Sequence, residues 1–114
     1  MPNLRGVGRE AEDQAAAYLI GEGYTIVTRR YKTARGELDI VALDGETLVF
    51  VEVKSRRTPG YNPEESISRS KLEALGRAIG AYLHEMEVKG RQVRLDLIAI
   101  DPDGFRHHKD ILAP

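Results

Sequence analysis

Asp39 and Glu52 each interrupt a run that otherwise reads as a core strand, Leu38 to Leu43 and Leu48 to Val53, and Lys54 follows Glu52 by two residues. An ionised carboxylate in apolar surroundings is costly unless a cation, hydrogen bonds or a raised pKa compensates it. Two such groups on neighbouring strands also repel one another. Oxygen ligands gathered in this way suit Mg²⁺, Mn²⁺ or Ca²⁺ rather than zinc. Lys54 would then stand beside the ion, placed to orient an attacking water or to stabilise charge on a phosphate. The alternative from spacing alone is a solvent-facing charged stripe in which Glu52 and Lys54 simply pair.

The elements that position these groups follow from the pattern. Asp44-Gly45 is a turn signal between two β-rich runs, and side chains alternate faces along a strand. With those two residues as the loop, Asp39 faces Phe50. A four-residue loop brings Asp39 opposite Glu52. Either register keeps Glu37, Asp39, Glu52 and Lys54 on one face, which only an odd slip or a bulge breaks. Ahead of the hairpin, Glu12 shares one helical face with Ala15 and Leu19, a stripe that Ala16 and Tyr18 widen.

Asp39 followed after a hairpin by Glu52-Val53-Lys54 resembles the core of the PD-(D/E)xK nuclease superfamily, which contains many restriction enzymes and the archaeal Holliday-junction resolvases. Gly36-Glu37-Leu38-Asp39 with Phe50-Val51-Glu52-Val53-Lys54-Ser55-Arg56 is closer still to the YraN-like family of small bacterial proteins, as is Glu12-x-x-Ala15-x-x-Tyr18-Leu19. Leu38 stands where the superfamily label has Pro, and Ala11 where the YraN-like branch often has Gly.

The resemblance implies a metal-dependent nuclease. Asp39, Glu52, the Val53 carbonyl and Glu12 would be metal ligands for Mg²⁺ or Mn²⁺, with Asp39, Glu52, Lys54 and Glu12 as catalytic residues. Resolvase-like relatives cut branched DNA as symmetric dimers, so a homodimer is implied too. A competing expectation is a non-catalytic nucleic-acid-binding or adaptor module that retains the fold.

Arg29, Arg30, Lys32 and Arg35 precede the acidic hairpin, and Lys54, Arg56 and Arg57 follow it. Of these, Arg30, Lys32, Arg35, Arg56 and Arg57, together with Lys71 near the start of the second helix, are the candidate nucleic-acid contacts, because guanidinium forks suit phosphate. Each one alone is equally an ordinary solvated loop charge. The net charge of −1 excludes a wholesale polycation, so nucleic acid, DNA first, would be met by this local patch.

The 114 residues, 41% hydrophobic and free of Cys, read as one domain spanning 1–114 without disulfides or thiolate metal sites. No apolar leader or membrane-length stretch is present, which predicts a cytoplasmic protein with no membrane partner. The expected fold is α/β and restriction endonuclease-like, a central mixed four- to five-stranded sheet flanked by helices in the order α-β-β-β-α-β, with Phe105 to His108 as a short edge strand. Gly76 and Gly80 are expected to let the second helix pack closely on the sheet. Asp96 reads as a structural acid paired with an arginine, His107 and His108 as surface or edge residues, and Ser55 to Pro63 as a loop serving as a lid.

Overall fold

A computed structural model describes residues 4–60 and 62–112, with side chains from residue 9 onward. The chain forms α1 (Leu4–Gly21), β1 (Thr25–Thr33), β2 (Gly36–Asp44), β3 (Thr47–Ser55), a 3₁₀ turn at Pro63–Ser66, α2 (Arg69–Glu85), β4 (Val93–Asp101) and β5 (Gly104–His108). The strands lie in the order β1-β2-β3-β4-β5, antiparallel except for β3 and β4. Those two are parallel because α2 carries the chain back across the sheet between them. The result is the expected restriction endonuclease-like α/β architecture, with the edge strand β5 completing five strands.

Two apolar layers sandwich the sheet. Ala15, Ala16 and Leu19 of α1 pack on Ile40, Ala42, Val49, Val51 and Ile98. Leu75, Ala78, Ile79 and Tyr82 of α2 pack on Leu38, Val41, Leu48, Phe50 and Leu95. Tyr82 meets both Phe50 and Tyr31 edge-on, at ring separations of 5.3 and 5.1 Å, an arrangement favoured by the ring quadrupoles. Ser68 caps α2 by accepting from the Lys71 backbone N–H at 3.1 Å.

The hairpin turn is one residue later than the Asp44-Gly45 signal suggests. Asp44 pairs with Thr47, so Gly45 and Glu46 form the loop, and Gly45 takes the positive φ of 61° that this tight turn requires. The pairs run Leu43 with Leu48 through Ile40 with Val51. Carried one step further, that register sets Asp39 opposite Glu52.

Gly76 and Gly80 do not serve as the expected points of close approach. A Cβ at either would meet no atom within 4 Å, and Gly80 is exposed. The close approach is made by Gly36, whose φ of 140° suits glycine and whose Cβ would lie 3.7 Å from that of Ala78.

Asp96 is fully buried and paired with an arginine, as its setting in an apolar strand suggests. Arg94 grips it through Nε at 2.8 Å and Nη2 at 3.0 Å, and the Asp110 backbone N–H donates to it at 3.0 Å. His107 lies 2.8 Å from the same carboxylate through Nε2, and its Nδ1 lies 3.0 Å from the Tyr18 hydroxyl. His107 is thus on the edge strand but turned inward, its side chain only 5% exposed, because a buried carboxylate supplies the partner that a surface position would have left to water. Burial alone would raise the Asp96 pKa. The His107, Arg94 and Asp110 hydrogen bonds outweigh it and hold the group below the usual carboxylate range.

On the other side of β5, Arg106 bridges Glu64 and Asp101, and His108 reaches Glu64 at 2.9 Å. The Arg106 guanidinium holds Glu64 down at about 2. This ties the end of the Ser55–Pro63 connection to the sheet edge.

Gly80→Ala should raise stability by roughly 0.5–1 kcal/mol, since it removes unfolded-chain entropy from a helix interior with open space around the new methyl; urea denaturation measures it. Asp96→Asn should cost about 3 kcal/mol by the same assay, because it leaves Arg94 in a site built for a charge. A loss under about 1 kcal/mol would mean that the pair is dispensable.

Candidate metal and phosphate site

β1 and β2 change face at one step. Arg29 pairs with Ile40 and Tyr31 with Leu38. In a regular ladder both pairs would share a face, being two residues apart. Here Ile40 lies in the α1 layer and Leu38 in the α2 layer. Arg30, between them, adopts φ 52°, a left-handed conformation that costs a branched-out side chain about 1 kcal/mol or more. The slip delivers two consecutive arginines to one helix. Arg29 Nε donates to Glu12 Oε1 at 3.0 Å, and Arg30 Nε donates to Oε2 at 3.1 Å, while Arg29 Nη2 reaches Asp13 at 2.5 Å.

Opposite Arg30, Asp39 stands at the seam. Its Oδ2 accepts the Val53 backbone N–H at 2.9 Å, so the side chain takes up a donor of β3 just beyond the last regular β2–β3 pair. Burial first, and then the adjacent Glu52 carboxylate, push Asp39 up to about 8; the Val53 N–H and the Lys54 ammonium pull the other way. Glu52 is itself only 6% exposed. Its Oε2 lies 3.4 Å from Lys71 Nζ, reaching from the first turn of α2.

The residues expected on one face are therefore brought together in a different way. Glu12, Arg30, Glu37, Asp39, Val53 and Ser55 line a pocket of about 170 Å³. Glu52 and Lys54 adjoin Asp39 from the α2 side. The expected three-acid cluster is not assembled: among the described residues no three His, Cys, Asp or Glu side chains gather around one cation position. Both Glu12 oxygens are taken by guanidiniums, which already supply the positive charge that a metal would bring.

Asp39 and Glu52 do fit a hard divalent cation. They are oxygen donors set beside each other, and the Glu52 carboxylate helps to raise the Asp39 pKa. Of the predicted phosphate contacts, Lys32, Arg35, Arg56 and Arg57 are exposed, Arg57 lying 4.0 Å from Glu10. Lys71 is directed at Glu52 instead. Arg29 carries weight that its position in a basic run did not reveal, since regular alternation would have sent it away from Arg30.

The five-stranded mixed sheet with a helix on each face, and the Asp39 and Glu52 carboxylates set beside each other in it, define a restriction endonuclease-like α/β protein. The chain belongs to the family described as Uncharacterised protein family UPF0102, whose model matches residues 11–100. It is 41% identical to a UPF0102 protein of Persephonella marina over 104 residues, 90% of each chain. It is 39% identical to a UPF0102 protein of Carboxydothermus hydrogenoformans over 115 aligned positions, 96% of this chain and 98% of that one. The match to UPF0102 protein CT2262 of Chlorobaculum tepidum is 43% over 95 residues, 82% of this chain and 74% of that one.

Between its ordinary value of 3.8 and about 8, Asp39 keeps a proton in the folded state that the unfolded chain has released. Its contribution to stability is therefore full at the acid end of that window and is lost as pH rises through about 8. Without divalent ions, the urea midpoint should fall between about pH 5 and about pH 8, and Asp39→Asn should flatten that decline. An unaltered slope in the variant would assign the dependence to another group.

Proposed function

We propose that the protein is a metal-dependent nuclease hydrolysing phosphodiester bonds in nucleic acid, with branched DNA the substrate class suggested by the resolvase resemblance. The observation that carries this reading is the half-buried Asp39 carboxylate set against the buried Glu52, with the Lys54 ammonium close by.

In this reading Asp39, Glu52 and the Val53 carbonyl hold one Mg²⁺ or Mn²⁺. When bound, such an ion lowers the pKa of water and neutralises charge on the scissile phosphate. Asp39 would give up its proton to hold such an ion. Its oxygen stays anchored by the Val53 N–H, so little reorganisation is needed. Lys54 orients the attacking water and offsets negative charge. Lys71 pairs with Glu52 and would yield that carboxylate to a bound ion. Lys32, Arg35, Arg56 and Arg57, all exposed, track the flanking phosphates in this reading.

One observation favours a second reading, a nucleic-acid-binding or adaptor module without catalysis. Glu12, the implied third ligand, is fully engaged by Arg29 and Arg30.

Cleavage of linear, nicked, flapped and four-way DNA with Mg²⁺ or Mn²⁺ separates the two. The nuclease reading expects metal-dependent products, which Asp39→Ala and Lys54→Ala abolish while circular dichroism stays native. Calorimetry should show divalent-ion uptake with about one proton released per ion near neutral pH, visible as a buffer-dependent heat. DNA binding without ion uptake or cleavage would establish the adaptor.

A further inference from the structure

We propose that Arg29 and Arg30 form a phosphate clamp, and that Glu12 occupies it as a placeholder until the backbone phosphate of a nucleic acid takes the two guanidiniums. This deepens the preceding section and rests on its nucleic-acid component, independently of whether cleavage occurs.

Three observations converge on it. The two guanidiniums are aimed at a single pair of oxygens, at 3.0 and 3.1 Å, the geometry with which arginines grip an oxyanion. That convergence is bought with a left-handed backbone at Arg30 inside a strand, a strained conformation where a regular one would have sent the neighbours to opposite faces. The arginine side chains remain 35% and 38% exposed while Glu12 is 7% exposed, so the cations face solvent and the carboxylate lies beneath them. A phosphate approaching from outside therefore meets the guanidiniums first.

Arg30 and Glu12 also line the pocket that contains Asp39. A phosphate gripped there would lie at the rim of the acidic site. Once the guanidiniums turn to it, the Glu12 carboxylate is released towards Asp39. Glu12 would then become available as a third acid only when nucleic acid is in place.

The test is binding of the full chain to a short fluorescein-labelled four-way DNA junction in EDTA, followed by anisotropy at several salt concentrations. Glu12→Gln removes the charge that both arginines share, leaving Asp13 on Arg29, and should tighten binding about tenfold, the value of one charge-assisted hydrogen bond no longer lost. Arg29→Gln with Arg30→Gln should weaken binding and lower the slope of log K against log salt by about 1, for the one backbone phosphate that the pair neutralises. In that double-arginine background Glu12→Gln should have no effect.

Binding by wild type that Glu12→Gln leaves unchanged or weakens in a folded protein would overturn the clamp while leaving the nuclease reading standing. If Glu12→Gln fails to fold, an unaltered salt slope in the arginine variants overturns it equally. Absence of junction binding by the wild type would overturn the clamp, while the nuclease reading falls only if the cleavage screen with Mg²⁺ or Mn²⁺ gives no product.

Discussion

Two carboxylates kept against each other out of bulk water set the terms for everything around them. Asp39 and Glu52 cannot both carry full charge at that separation without compensation, and the chain supplies it from four directions. The Val53 N–H, Lys54, Lys71 and a proton retained on Asp39 each offset part of the repulsion. A fold optimised for stability alone would fill this position with two apolar side chains. Retention of the acids inside a sheet otherwise packed with Ile, Val, Leu and Phe is what gives the site its chemical meaning.

The second buried acid shows the contrast. Asp96 is fully buried where Asp39 is half-buried, yet Arg94, His107 and the Asp110 backbone saturate it, and its pKa is driven down rather than up. It is a finished structural pairing between β4, β5 and the following turn. Asp39 has one backbone donor and a like-charged neighbour, so it remains receptive to a proton or a cation. The opposite shifts of these two aspartates follow from the partners each one meets and not from burial alone.

Much of this was legible before any coordinates. Apolar alternation around Asp39 and Glu52, the intervening turn and the crossover through α2 predict the sheet, because period-two and helical patterns are local properties of the chain. The four-residue-loop register already placed Asp39 opposite Glu52. What escaped was the change of face at Arg30 and Asp39. Nothing in an arginine announces a left-handed backbone, as a glycine would, and regular alternation then misassigns Arg29. Glu12 was found on the correct helical face, but spacing cannot tell a metal ligand from a carboxylate gripped by two guanidiniums. His107 lies on the edge strand as expected, but its inward turn depends on a partner 11 residues away on the adjacent strand.

The irregularity in β1 has an effect on association as well. β1 is an outermost strand, and a straight one would offer its free N–H and C=O groups as a template to any passing chain. The register shift between Ile26 and Thr28 and the left-handed turn of backbone at Arg30 bend that border, and two guanidiniums flank it. Edge-to-edge growth of the sheet is discouraged there. A two-fold assembly of this chain would have to form through a helix face or the opposite border instead.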